Sequence, residues 1–108
     1  MTTYVISFRI ADNSTYPDRY ESTMQAIRRE ASNGTTWTET TSLVILRSDR
    51  AADSVASSIY TGSSFDVKTD TLLVVDAIGG HYATRGVIQY PATLDGMFAK
   101  NSLAGLFG

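Results

Sequence analysis

The sequence predicts an α+β domain whose patterned segments follow the order β-α-β-β-α-β. Period-two alternation of apolar residues predicts the first strand, and apolar residues at three- and four-residue spacing predict both helices. The predicted strands are Tyr4–Ile10, Thr35–Glu39, Leu43–Arg47 and Leu72–Val75, and the predicted helices are Pro17–Ser32 and Arg50–Tyr60. This order is that of a ferredoxin-like sandwich, in which helices cover one face of an antiparallel sheet.

The first strand has one strongly apolar face. Tyr4, Ile6, Phe8 and Ile10 alternate with Val5, Ser7 and Arg9. Because successive side chains of a strand point to opposite faces, the larger apolar set is expected to pack against the helices. The other face, with Arg9 near the end of the strand, is expected to be flatter and more polar.

The two helices have recognisable ends and apolar stripes. Thr15, Pro17 and Asp18 predict the start of the first helix, and Asn33-Gly34 predicts its end. Ser48 or Asp49 is the predicted cap of the second helix, which Gly62 ends. The predicted buried stripes are Tyr20, Met24, Ile27 and Ala31 in the first helix and Ala52, Val55, Ala56 and Ile59 in the second.

The strands between and after the helices differ in composition. Thr35–Glu39 is rich in threonine and holds Trp37, which favours an outer strand or one that packs on a partner. Leu43–Leu46 is continuously apolar, which favours an interior strand that is buried on both faces. Residues 1–78 are the predicted ferredoxin-like core.

Residues 79–108 are a predicted C-terminal extension. Gly79-Gly80 ends the fourth strand, Arg85–Tyr90 is a candidate short strand, and apolar residues at helical spacing follow Pro91. Because the core is complete before this point, we expect the extension or a second copy of the chain to cover the open sheet face. The extension is therefore a predicted dimerisation segment, which either exchanges between protomers or folds back on its own protomer.

Composition limits the classes of function. The chain has 108 residues, no cysteine and a net charge of −2. Disulfides, thiolate metal sites and a cysteine nucleophile are excluded, and the net charge does not favour general nucleic-acid binding. No apolar run is long enough to span a membrane, and the N-terminal residues lack the layout of a secretion signal, so a cytoplasmic protein is expected.

Few residues have the chemistry of a site. Asp70 begins the strand that should run antiparallel to the first strand, which predicts an Arg9–Asp70 ion pair. A metal or phosphate site that uses Asp12, Asp70 or Asp76 is the alternative. His81 follows Gly79-Gly80 and is expected in an exposed loop. Trp37 is expected at a dimer interface or at the edge of the core, with base stacking as the alternative.

Three stretches of the chain resemble the small SinR-family proteins, which are relatives of the second CRISPR-associated adaptation protein. Tyr4–Phe8 resembles their opening strand, Trp37 with Thr41–Asp49 resembles their tryptophan and strand-to-helix junction, and Asp70–Val74 resembles their acid-led final strand. The resemblance covers residues 4–76 and implies a ferredoxin-like protomer. It also implies a homodimer that is joined through the sheets, with exchange of the C-terminal segment.

The same resemblance bears on catalysis. In the nuclease members of the wider family, an aspartate at the end of the first strand binds a divalent metal between protomers, and the matching position here is Arg9. Arginine has only donor groups and does not ligate a metal. Asp12, three residues further on, replaces that aspartate only if its loop folds back.

We therefore expect a non-catalytic, homodimeric binding or regulatory module with no cofactor. Arg9, Trp37 and Asp70 are its candidate dimer or ligand residues, and its ligand is not predicted. One alternative is a nuclease that depends on Mg²⁺ or Mn²⁺ and uses Asp12. The other alternative is a sensor of a small ligand that binds on the open face of the sheet.

Overall fold

The computed structural model of the protein describes residues 1–99 as five strands and three helices. None of the helices in this range has the length and the apolar character that crossing a membrane requires. In chain order the elements are β1 (Thr2–Arg9), α1 (Tyr16–Arg29), β2 (Thr36–Trp37), β3 (Leu43–Ser48), α2 (Ala52–Thr61), β4 (Thr71–Asp76), β5 (Tyr82–Gly86) and α3 (Pro91–Phe98).

The strands form one antiparallel sheet in the order β2-β3-β1-β4-β5. The first strand lies at its centre, with Ile6 opposite Val44 of β3 on one side and opposite Val74 of β4 on the other. The predicted α+β class and the β-α-β-β-α-β order of the first six elements are confirmed. The fifth strand extends the same sheet beyond β4.

The core lies between one face of this sheet and the helices α1 and α2. Tyr4, Ile6 and Phe8 of β1 are at most 4% exposed, as their alternation predicts. The side chains that they meet include Ile27 of α1 and Ile59 of α2, which are fully buried. Apolar burial of this kind contributes about 1.5–3 kcal/mol for each large side chain.

Helix α1 is rotated relative to the predicted stripe. Its buried residues are Arg19, Thr23, Ala26 and Ile27, whereas Tyr20 and Met24 are only partly buried at the edge of the core. The helix also ends at Arg29, before the predicted stop at Asn33-Gly34. Ile27 is buried as predicted, but the buried face is shifted from Tyr20 and Met24 to Arg19 and Thr23, because a charged residue occupies a buried site.

The predicted cap of α2 is wrong. The residue before the helix is Ala51, and it makes no side-chain capping bond. Ser48 instead belongs to β3, where its buried hydroxyl accepts a hydrogen bond from the Arg50 backbone N–H at 3.1 Å. Gly62 ends the helix, as predicted.

Three strands differ from their predicted form. The second strand keeps only Thr36 and Trp37 of the predicted Thr35–Glu39. In β3, Val44 and Leu46 are buried but Leu43 and Ile45 are half-exposed, so this interior strand is not buried on both faces. The extra strand is Tyr82–Gly86 rather than Arg85–Tyr90, because the chain re-enters the sheet directly after the turn that follows β4.

The second face of the sheet is partly covered by α3. Register places Tyr82 opposite Val75, whose side chain points away from α1 and α2. The Tyr82 ring lies 4.6 Å from the ring of Phe98, and its hydroxyl is 3.0 Å from the Asp95 carboxylate. Part of the predicted extension, residues 100–108 with Leu103, Leu106 and Phe107, lies outside the described residues.

Gly86 is required where β5 ends, and this gives a first prediction. Its φ is +88°, and a Cβ there would lie 2.0 Å from the Asp70 carbonyl oxygen. Gly86→Ala should lower the free energy of unfolding by roughly 2–5 kcal/mol, from the positive φ and the forced overlap. Urea denaturation measures this loss.

Gly34→Ala is the matched control. Gly34 also has a positive φ, +75°, but a Cβ there would meet no atom within 4 Å. Its loss should be only about 1–2 kcal/mol, the cost of the backbone conformation. Equal losses in the two variants would contradict the close approach at Gly86.

Candidate functional site

A buried ion pair joins α1 to the start of β4. The Arg19 guanidinium donates to the Asp70 carboxylate, with Asp70 fully buried and Arg19 7% exposed. Removal of one partner of such a pair leaves an unpaired charge out of water, which is strongly destabilising. Burial also removes the hydration of both charges, so the pair needs further hydrogen bonds to offset that loss.

Those further bonds come from two loops. The Asp70 carboxylate also accepts from the backbone N–H groups of Ala11 at 2.8 Å and Asp66 at 2.9 Å, and from the Thr69 hydroxyl at 3.1 Å. Arg19 in turn donates to the Ala11 carbonyl oxygen at 2.9 Å. The pair ties the loop after β1 to the loop before β4.

The charge state of Asp70 follows from this environment. Burial by itself would raise the pKa of the carboxyl group, because the ionised form loses its hydration. The Arg19 guanidinium and the N–H groups of Ala11 and Asp66 favour the ionised form more strongly. The pKa of Asp70 is therefore held below its ordinary value.

The predicted Arg9–Asp70 ion pair is wrong. Arg9 lies opposite Thr71, so Asp70, one residue earlier, points to the face of the sheet that α1 and α2 cover. Arg9 points to the other face, and its side chain is exposed. The sequence run Leu72–Val75 is apolar at every position and so does not reveal which face Asp70 occupies.

Arg19 is the site residue that sequence reasoning missed. Charged residues on helices are usually exposed, which hid its role. Thr15, Arg19 and Thr23 lie at four-residue spacing, and the Arg19 Nε donates to the Thr15 hydroxyl at 2.8 Å. This polar row beside the apolar stripe was the available indication.

An apolar row crosses the open face of the sheet, one residue from each strand. Cross-strand register aligns Trp37, Ile45, Val5, Val75 and Tyr82 in that order. Trp37, at the β2 edge, is 41% exposed, and the other four are partly exposed. We call this set the apolar row. The Tyr82 ring packs against the Phe98 ring, whereas the Trp37 side chain at the other end remains exposed among residues 1–99.

Charged residues flank the apolar row at opposite ends of the strands. Arg47 lies opposite Thr3, at the start of β1, and Arg9 lies at the end of β1. These two arginines therefore do not form a single cluster. Arg9 and Trp37 therefore share a face of the sheet, while Asp70 belongs to the other.

The candidate metal residues are dispersed. Asp12 is exposed in the loop after β1, and His81 is exposed in the turn before β5, as predicted for the histidine. Asp76 accepts from the N–H groups of Ile78 at 3.0 Å and Gly79 at 2.7 Å, which lowers the pKa of its carboxyl group. Within residues 1–99, no three acidic, histidine or cysteine side chains are grouped as metal ligands would be.

Comparison with known proteins adds no relative. The chain matches no protein-family model, no curated protein and no solved structure significantly. The resemblance to SinR-family proteins stays a prediction.

The buried ion pair gives a second prediction. Arg19→Met should lower the free energy of unfolding by about 3–5 kcal/mol, because it leaves the Asp70 charge buried without its partner. Arg9→Met, on the exposed face, is the matched control and should change the stability by less than about 0.5 kcal/mol. Urea denaturation of both variants checks this, and a larger loss for Arg9→Met would restore Arg9 as the partner of Asp70.

The lowered pKa of Asp70 gives a third prediction. A carboxyl group whose pKa is lower in the folded than in the unfolded state contributes stability that is present above the unfolded value. This contribution is lost as the pH falls through the folded value. The stability advantage of the wild type over Asp70→Asn should therefore be full near neutral pH and shrink in acid.

Urea denaturation of both proteins from neutral to acidic pH measures that advantage. Asp12→Asn is the control, because Asp12 is an exposed acid of the neighbouring loop, and this variant should keep the acid dependence of the wild type. An advantage over Asp70→Asn that does not change with pH would contradict the assignment.

Proposed function

We propose that the protein is a non-catalytic, ferredoxin-like binding module that works as a homodimer. The sheet order β2-β3-β1-β4, with α1 and α2 on one face, supports the ferredoxin-like assignment. The observation that carries the proposal is the apolar row, which spans all five strands on the face that those two helices leave open.

The Trp37 end of the apolar row is the proposed contact between protomers. Trp37, Ile45 and Val5 are adjacent across three antiparallel strands. A two-fold axis parallel to the plane of the sheet, lying between the two open faces, would lay this patch on the same patch of a second copy, which is the isologous contact of most homodimers. Exposed tryptophan is among the residues that contribute most to protein interfaces.

The resemblance to SinR-family proteins supports the same assembly, because it implies protomers that are joined through their sheets. It also supports a non-catalytic role, because Arg9 stands where the nuclease members hold a metal-binding aspartate. The guanidinium group has no lone pair to offer a metal ion.

Sedimentation equilibrium tests the dimer, as a fourth prediction. The wild-type protein at about 100 µM should be dimeric, because association is favoured by mass action. Trp37→Lys should weaken the dimer by about 30-fold or more, the effect of a tryptophan at the centre of an interface. Ile78→Lys is the matched control, because Ile78 is 88% exposed in the turn before β5.

Circular dichroism should show that both lysine variants keep the wild-type fold. A wild-type monomer at about 100 µM, or equal weakening by the two substitutions, would contradict the proposed interface. Cleavage of RNA or DNA that requires Mg²⁺ or Mn²⁺ and is lost in Asp12→Ala would replace the proposal with the nuclease alternative.

A further inference from the structure

A groove lies on the open sheet face at the end where β1 finishes. Ser7, Arg9, Leu73 and Thr84 form its floor, and the chain after β5 together with the start of α3 forms its wall. Its volume is about 330 Å³, at the lower end of the range for small-molecule sites. We call it the Arg9 groove. It is separate from the Trp37 end of the apolar row.

The wall of the Arg9 groove is held to the sheet by hydrogen bonds. The Val87 N–H donates to the Asp70 carbonyl oxygen at 2.8 Å, and the Val87 carbonyl oxygen accepts from the Thr71 hydroxyl at 2.7 Å. Both backbone polar groups of Val87 are therefore engaged with the start of β4. The groove is formed in advance rather than assembled around a ligand, which limits the entropy lost on binding.

The lining is apolar along most of its length. Leu73 rises from the floor, and Val87, Ile88 and Leu94 come from the wall. Tyr90 also lines the groove and is 66% exposed. Such a surface favours a ligand with an apolar body, since each buried methylene contributes about 0.8 kcal/mol.

The charge of the Arg9 groove is positive. Arg9 is the only charged residue among the described residues that line it, and within residues 1–99 its guanidinium makes no ion pair. The hydroxyls of Ser7 and Thr84 and the Gln89 amide add hydrogen-bonding groups. Arginine binds carboxylates through two parallel hydrogen bonds, which fixes orientation as well as charge.

We propose that the Arg9 groove binds a small organic carboxylate with an apolar body. The carboxylate pairs with Arg9, and the body lies along Leu73, Val87 and Leu94. This site goes beyond the proposed homodimer and does not depend on it, because its lining residues come from a single protomer.

The test uses phenylacetate as the probe, with phenylacetamide as its neutral counterpart and inorganic phosphate as an anion without an apolar body. Each is titrated into ¹⁵N-labelled protein and followed by amide chemical shifts. Phenylacetate should shift the residues of the Arg9 groove and bind at least about 10-fold more tightly than phenylacetamide, the effect of a hydrogen bond to a charged group. It should also bind more tightly than phosphate.

Two variants make the test specific. Arg9→Gln should abolish the preference for phenylacetate over phenylacetamide. Arg47→Gln, at the opposite end of the same face, should leave the preference unchanged. A dispersed wild-type-like spectrum shows that each variant is folded.

Other outcomes overturn the proposal. Equal affinities for phenylacetate and phenylacetamide would contradict the role of Arg9 in binding the carboxylate. Equal affinities for phenylacetate and phosphate would contradict the contribution of the apolar body. Shifts outside the Arg9 groove, or no shift at about 10 mM phenylacetate, would remove the site itself, because even weak fragment binding is detectable there.

Discussion

The fold depends on one buried contact, the ion pair between Arg19 and Asp70. Apolar packing holds the sheet against α1 and α2, but it does not determine the conformation of the loops at this end of the molecule. The pair does so, because both side chains hydrogen-bond the backbone of Ala11 and the Asp70 carboxylate also accepts from the Asp66 N–H. The Asp70 carbonyl oxygen then receives the N–H of Val87, so the contact reaches the chain beyond β5.

This arrangement relates the interior of the molecule to its open face. Asp70 points inward and Thr71 outward, as neighbouring residues of a strand must. The inward residue anchors the loops, and the outward residue holds Val87 in place. The ion pair therefore fixes the start of β4, and the start of β4 in turn positions Val87 in the wall of the Arg9 groove on the open face.

The sequence predicted the elements better than the contacts between them. The alternation of Tyr4, Ile6 and Phe8 with polar residues identified the buried face of the central strand, because period two has only one consistent solution there. The run Leu72–Val75 has no such alternation, so the face on which Asp70 lies was not determined. The predicted Arg9–Asp70 pair failed for this reason.

Sequence reasoning missed the burial of Arg19 for a different reason. Its burial depends on a partner that is distant in the sequence, and local spacing contains no information on that partner. The apolar row could not be predicted from the sequence either, because its identification requires the register of all five strands. Trp37 could be assigned to an outer strand by composition, but not to the end of a row that crosses the sheet.

The two outer strands limit how copies of this chain assemble. Strand β2 has two residues, and β5 ends at Gly86 with a backbone turned out of the extended conformation. Strands this short, or interrupted in this way, offer few unpaired backbone groups to a further chain. Growth of the sheet from its edges into a filament is therefore disfavoured, whereas the proposed homodimer, a contact between two open faces, is a closed assembly of two copies.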